Sequence, residues 1–346
     1  MNIEKKIKLV VWDLDNTLWN GILLEDENIK ISDSVKNIIM EFDRRGILQS
    51  IASRNYHDHA MAKLQEEGLE EYFIFPHIGW ESKSQSIGEI IKSVNISEDT
   101  VAFVDDQLFE LDEVHMKYNK ILCISAENIS SLLEHPRFIP IRITEDSSMR
   151  RRMYQADIKR NIEKEKFEGP NEDFLKTLNM KLTIKDAKIE DLDRMLELIE
   201  RTSQLNATGR IYSYDELFTL LNFSKNSLLV ISLEDIYGSS GKVGLVLIDK
   251  HPGLWTIKLL IVSCRVIPRG IGTIVIHYVI SKAKENNVRL LAEYIPTDRN
   301  RIILMTYTMI GFKIVEKQGN LCILENKFDN MRELPSYIHI CDRAEI

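Results

Sequence analysis

The segment Leu9-Val10-Val11-Trp12 constrains this chain most: a short apolar run with two β-branched residues, cut off at once by Asp13-Leu14-Asp15. A run of that length and composition reads as a buried strand. The period then keeps changing. Val35, Ile38, Ile39 and Phe42 recur at helical spacing, and Gly46 stands where a helix C-terminal cap belongs. Ile47 to Ala52 reads as the next strand. Met61, Leu64 and Leu69 mark a second helix, and Ile87, Ile90, Ile91 and Val94 a third. Val101 to Val104 and Ile121 to Ile124 are further short apolar strands. Strands that alternate with helices call for crossover connections, and so for a doubly wound parallel sheet of the α/β class.

The pattern does not persist over all 346 residues, a length that suits about two domains. The stretch from Glu145 to about Lys176 is highly charged, lacks a strong apolar stripe and ends near Gly169-Pro170, which predicts a helical connector. After Lys181 a helix (Leu192, Met195, Leu196, Ile199) and a second over Tyr212 to Leu221 precede long strand-like runs. These are Leu228 to Leu233, Val243 to Asp249 and Trp255 to Ser263, the first pair punctuated by Gly238 and Gly241 like a hairpin. A glycine-bearing loop, a helix (Ile276, Val279, Ile280, Ala283), a strand (Val288 to Tyr294), a helix (Arg299 to Ile310) and a last strand follow. That order is α+β. The expected division is 1–144, a connector over 145–180, a second domain over 181–330 and a tail over 331–346.

Charge and cysteine usage narrow the function classes. A formal net charge of -8 gives no hint of a nucleic-acid-binding face. Four scattered cysteines with no CxxC pair suit neither a disulfide framework nor a zinc cluster. No apolar stretch approaches the ~20 residues of a membrane span, and the run before Asp13 is too short for a signal-peptide core. The expectation is a soluble cytoplasmic protein that engages neither membrane nor nucleic acid. None of the eight histidines forms an HExxH pair; His57 and His59, two apart after Ser53, read as the start of a helix, and none is nominated as a ligand.

Asp13 and Asp15 lie directly after the first strand, where open α/β sheets bind ligands. Two crowded carboxylates make a site for Mg²⁺, which takes oxygen ligands. With a cation present, one carboxylate can attack phosphorus while the other handles the leaving-group proton. The run Asp13-Leu14-Asp15-Asn16-Thr17 resembles the first motif of the haloacid dehalogenase (HAD) phosphatases. Ser53 at the end of the second strand, Lys83 upstream of a helix and Asp105-Asp106 after a strand match the other three motifs in order. The resemblance implies Asp13 as phosphoryl-accepting nucleophile and Asp15 as general acid/base. Thr17, Ser53 and Lys83 would hold phosphoryl oxygens. Asp13, Asp15 and Asp105 would hold Mg²⁺, with Asp106 in support. So little chain separates Thr17 from Ser53 that a large cap domain has no room.

The loop Arg265 to Gly272 joins a strand to a helix, whose N-terminus favours an anion. With Asn300, Tyr307 and Gly311-Phe312 downstream, it resembles the GCN5-related acyltransferase (GNAT) fold, whose glycine loop cradles coenzyme A. The usual Gln or Arg three residues before the first glycine is here Ile267, while Arg265 and Arg269 stand close by. A phosphopantetheine arm with one phosphate is an alternative ligand, met by Arg265, Arg269, Gly270 and Gly272. Cys264, at the end of the preceding strand, is a candidate acyl relay, since thiol-to-thioester exchange is nearly isoenergetic. Cys123, Cys322 and Cys341 read as packing residues. The polar stretch after the first helix of this domain makes Gln204 and Asn206 a possible substrate loop.

The whole chain resembles the FkbH-like family, which joins a HAD phosphatase domain to a GNAT-like domain. The resemblance is carried by Asp13 to Trp19, Gly79-Trp80-Glu81-Ser82-Lys83, Phe103-Val104-Asp105-Asp106 and Ser263-Cys264-Arg265-Val266. The family's Thr-Asn-Gln-Phe-Asn stands here as Thr202-Ser203-Gln204-Leu205-Asn206, and its Ser-Lys-Asn-Asp as Ser53-Arg54-Asn55-Tyr56. The resemblance implies that a three-carbon unit from a donor like 1,3-bisphosphoglycerate loses phosphate and is loaded as glyceryl onto an acyl carrier protein. Two alternatives stay open: a phosphatase whose second domain only binds, and a carrier-docking scaffold without catalysis.

Overall fold

The computed structural model describes residues 5–26, 28–202, 205–329 and 334–346. The chain divides into two compact units, Met1–Gln155 and Ala156–Ile346.

In the first unit, β1 (Leu9–Trp12), α1 (Asp33–Arg44), β2 (Leu48–Ser53), α2 (His57–Glu66), β3 (His77–Ile78), α3 (Lys83–Val94), β4 (Val101–Asp105), α4 (Leu108–Lys117) and β5 (Leu122–Ser125) follow in order. The strands form one sheet in the order β3-β2-β1-β4-β5, parallel throughout. Every residue of β1, β2 and β4 is buried, as expected of a parallel sheet covered on both faces. Helix α1 starts where Ser32 Oγ accepts from the Val35 amide and buries Ile38, Ile39 and Phe42. It ends at Arg45, with Gly46 at φ 69 beyond it. Within the core Trp12 donates its indole N–H to Gln49 Oε1 (3.2 Å), and Gln49 Nε2 donates to the Ile39 carbonyl (2.9 Å), so a polar side chain on a buried strand is satisfied. The two-residue β3 escapes sequence reading because it has no apolar run.

The segment expected to connect the domains is helical: α5 (Glu145–Ser148), α6 (Arg150–Lys166) and α7 (Asn171–Thr177). The division between units falls inside α6, and a strand has begun by Met180. The second unit holds β6 (Met180–Asp186), α8 (Leu192–Arg201), α9 (Tyr214–Asn222), β7 (Asn226–Asp235), β8 (Gly238–His251), β9 (Leu254–Val262), α10 (Ile271–Glu285), β10 (Arg289–Tyr294), α11 (Arg301–Met309), β11 (Phe312–Gln318), β12 (Leu321–Asn326) and β13 (Ile338–Arg343). They build an eight-stranded sheet, β11-β12-β10-β9-β8-β7-β6-β13, mostly antiparallel, with β10 parallel to β9 and β13 parallel to β6. The expected tail over 331–346 therefore contributes an edge strand.

Alternation decides what each face of that sheet meets. Leu229 and Ile231 pack into the cluster that contains α10 and α11, while Leu228 and Val230 pack against α8 and α9. The parallel pairing of β9 with β10 runs only from Leu254/Arg289 to Ile257/Ala292. Beyond it, Leu205–Ala207 bonds to both: the Val262 amide donates to Leu205 O, Ala207 to Leu260 O, and Ile295 to Ala207 O. The α/β class expected for the first part and the α+β class expected for the second are what the structure has.

Candidate active site

The sheet order places β1 between β2 and β4, so the C-terminal ends of three parallel strands meet at one place. Asp13 follows β1, its amide donating to the Val104 carbonyl (2.9 Å) and so holding it in the ladder. Ser53 ends β2 and Asp105 ends β4; both are buried. Lys83 is the first residue of α3, whose N-terminus is fixed by Ser82 Oγ accepting from the Gln85 amide. The Lys83 side chain is 5% exposed, and its ammonium lies 2.6 Å from Asp13 Oδ1 and 2.5 Å from Asp105 Oδ2. The other Asp105 oxygen accepts from the Gln107 amide (2.9 Å).

Asp13, Asp105 and Asp106 each offer an oxygen within 4.8 Å of the others. Burial and the neighbouring Asp13 charge push Asp105 up to about 6, and raise Asp106 for the same two reasons. Burial pulls the Lys83 ammonium down, but Asp13 and Asp105 more than offset it and hold it above its ordinary value. Asp106 Oδ1 and Thr17 Oγ1 are buried without a hydrogen-bond partner. Crowded carboxylate oxygens, with Asp105 and Asp106 made harder to ionise by burial and by Asp13, suit a hard divalent cation, so this donor set fits Mg²⁺.

Asp15 is placed differently from the expectation that made it a metal ligand. Its Oδ1 accepts from the Trp19 indole (2.7 Å) and the Leu23 amide (3.0 Å), and its Oδ2 from Asn55 Nδ2 (3.1 Å). The carboxylate is held by these three donors, and the converging set takes Asp106 instead. The chain has already turned at this point: Asn16 lies at φ 53, and its backbone and side chain close a loop onto Gly21. Sequence reasoning gives Asn55 no task; its position two residues after Ser53, on the turn leaving β2, is the signal that would have found it.

In the second unit Cys264 is partly exposed and opens a 3₁₀ turn, Cys264–Arg269, directly after β9 and Ser263. Gly270, at φ 74, ends that turn and caps α10; a side chain there would be strained, and its Cβ would lie 3.0 Å from the Tyr337 hydroxyl. Gly272 is buried against Leu205. The two arginines do not face outward as a phosphate site requires. Arg269 is 3% exposed and donates to Asp235 Oδ2 (3.0 Å) and Ser240 Oγ (3.1 Å). Arg265 donates to the Ser240 carbonyl (3.1 Å) and lies 3.8 Å from Asp157. Arg160 closes the cluster with a fork onto Asp235 (2.8 and 3.0 Å) and a contact to Asp157. Burial and the adjacent Arg160 bring Arg269 down to about 10. The carboxylates that claim them come from α6 and the β7–β8 hairpin, too far along the chain for spacing to reveal.

Asn206 is buried, and its Oδ1 accepts from the Thr208 and Gly209 amides (3.3 and 2.9 Å), which makes it a turn-former. Gln204 lies outside the described residues. Asn300, fully buried, donates to the carbonyls of Asn206 (3.0 Å) and Ile295 (2.9 Å) and fastens that turn to the end of β10. Tyr307 is fully buried with an unpartnered hydroxyl that burial makes less acidic.

No family model matches this chain, and no curated protein matches it. Among solved structures, the N-terminal part of a Bacteroides fragilis protein, containing a phosphatase domain and complexed with Mg, is 24% identical with a TM-score of 0.36. The match covers 40% of this chain and only 41% of that one. An N-acetyltransferase from Thermoplasma acidophilum in complex with coenzyme A is 16% identical, with a TM-score of 0.34, over 42% of this chain and 99% of its own. A ribosomal-protein alanine N-acetyltransferase from Escherichia coli is 13% identical, with a TM-score of 0.33, over 42% and 92%. Likenesses this partial leave function to be read from the residues. No helix among the described residues is long and apolar enough to cross a membrane.

Proposed function

We propose that the first unit is a Mg²⁺-dependent phosphatase of the HAD type and that the second, GNAT-like unit transfers the acyl group. The substrate in this reading is a phosphorylated three-carbon acyl donor resembling 1,3-bisphosphoglycerate, and the acceptor is the phosphopantetheine thiol of an acyl carrier protein. The convergence of Asp13, Lys83, Asp105 and Asp106 at the C-terminal ends of parallel strands carries the proposal.

Asp13 Oδ attacks phosphorus and the P–O bond to the leaving group breaks. Asp15, oriented by Trp19, Leu23 and Asn55, gives its proton to the departing oxygen and later takes one from the water that cleaves the aspartyl phosphate. Lys83, Ser53 and the unpartnered Thr17 hydroxyl hold the phosphoryl oxygens. Asp13, Asp105 and Asp106 would hold Mg²⁺, which supplies charge neutralisation for the transferring group. In the second unit the Cys264 thiolate attacks the acyl-phosphate carbonyl and expels phosphate, and the carrier thiol then takes the acyl group from the Cys264 thioester. Backbone N–H groups at the start of α10 are the anion donors left there, since Arg265 and Arg269 serve the internal cluster.

The test is intact-protein mass spectrometry with Mg²⁺, 1,3-bisphosphoglycerate generated in situ and a phosphopantetheinylated carrier protein. A glyceryl adduct on the carrier that disappears in Cys264→Ala supports the relay; one that persists removes it. The burial of Arg269 favours a second reading, a phosphatase whose second unit only binds. That reading expects phosphate release without any carrier and indifference to Cys264. Asp13→Asn with no loss of function would leave only the scaffold.

A further inference from the structure

The order β2-β1-β4 gives one ion pair a significance that its two residues lack separately. Arg54 directly follows Ser53 at the end of β2, and Glu110 lies in the first turn of α4, just past Asp105-Asp106. Arg54 Nη1 and Glu110 Oε1 are 2.9 Å apart. Because β1 lies between β2 and β4, this pair joins the segments that leave the two strands flanking the one that ends at Asp13.

The two partners are unequally placed. The Glu110 side chain is 3% exposed, and its second oxygen, Oε2, is buried without a partner. The Arg54 side chain is 39% exposed. Burying a carboxylate is costly unless it is paired, and a surface arginine gains little from a pair. An arrangement that buries the glutamate and leaves its arginine half in solvent adds little stability but fixes a guanidinium in place. One contact to Glu110 leaves most of the five guanidinium donors for something else. Among the residues directly following β1, β2 and β4, Arg54 is the one with a permanent positive charge, in a mouth dominated by Asp13, Asp15, Asp105 and Asp106. Lys83 is engaged by Asp13 and Asp105, so Arg54 is the cation at these strand ends that a second anionic group on a substrate can meet.

We infer that Arg54, held by Glu110, is the specificity residue for a second anionic group on the phosphorylated substrate, a carboxylate or a further phosphate. This rests on the phosphatase reading of the Asp13 site. Arg54 selects the substrate, and Glu110 positions Arg54.

The experiment measures initial rates of the full chain with Mg²⁺ on three substrates: 3-phosphoglycerate, fructose 1,6-bisphosphate and glycerol 3-phosphate, which has no second anion. Arg54→Gln should lower kcat/KM on one or both dianionic-bodied substrates by about 10- to 100-fold, the effect of one charge-assisted hydrogen bond. Glycerol 3-phosphate should change less than about two-fold. Which substrate responds identifies the group. Arg54→Lys should recover part of the loss, and Glu110→Gln should raise KM for the responsive substrate with kcat kept. Equal loss on all three substrates, or none on any, overturns the inference. So does a wild-type enzyme that hydrolyses p-nitrophenyl phosphate but shows no preference for a second anion; the phosphatase reading then survives. A protein inactive on every phosphomonoester removes both.

Discussion

Replacing Lys83 by Met keeps the length of the side chain and deletes its charge. In the native protein that side chain is 5% exposed and its ammonium lies within 2.6 Å of carboxylate oxygens from both Asp13 and Asp105. Without it, those carboxylates and Asp106 face one another uncompensated. Removing one partner of a buried pair costs about 3–5 kcal/mol, which for a unit of this size lowers Tm by on the order of 10 °C. The cost must depend on pH. Burial and Asp13 already raise Asp105 to about 6, and losing Lys83 raises it further. An acid whose folded value exceeds its unfolded one binds protons more tightly when folded. Stability therefore falls as pH rises through that window, and the penalty is complete only above the folded value. The Tm deficit of Lys83→Met should be large near about pH 8, small near about pH 5, and partly recovered by Mg²⁺ at the higher pH. Thermal unfolding followed by circular dichroism, in EDTA and in Mg²⁺ at both pH values, measures it. A deficit that is the same at both pH values, or absent, would refute the electrostatic account.

Three further outcomes are expected. Mg²⁺ should raise the Tm of the wild-type protein, and the rise should fade as pH drops through about 6, because a protonated Asp105 no longer binds a cation; calorimetric titration across that range checks it. Asp235→Asn should cost about 3–5 kcal/mol in urea unfolding of the second unit, since it strips the buried Arg160 and Arg269 of their shared carboxylate; a change below about 1 kcal/mol would contradict this. Asn300→Ala leaves the Asn206 and Ile295 carbonyls without their donor and should cost about 2–4 kcal/mol, with hydrogen exchange at Ala207 and Ile295 rising more than elsewhere in the sheet.

Much of the first unit was legible because its strands are buried on both faces and so appear as unbroken apolar runs. Leu9–Trp12 and Val101 to Val104 are such runs, and the candidate site residues lie at their ends. The place of the Asp15 side chain was not legible, because the left-handed Asn16 turns the chain back onto Gly21 and the carboxylate takes donors from Trp19, Leu23 and Asn55. In the second unit the long strands β7, β8 and β9 showed, while β6 and β13 did not. Met180–Asp186 alternates buried with half-buried residues and includes three charged positions, and Ile338–Arg343 gains its buried position only by pairing with it. Arg265 and Arg269 looked like phosphate ligands because spacing reports what is near in the chain. Asp157 and Asp235, which claim them, are near only in space.

The edge strand β13 carries a consequence for handling the protein. It matches β6 residue for residue, Ile338 beside Met180 through Arg343 beside Lys185. Anything that clips the chain before Ile338 strips the outer hydrogen-bonding row from β6 and leaves Met180, Leu182 and Ile184 on a bare rim. Such a row is a template for a strand from another molecule. Proteolytic nicking there would show first as self-association on a sizing column, with the rest of the fold still intact.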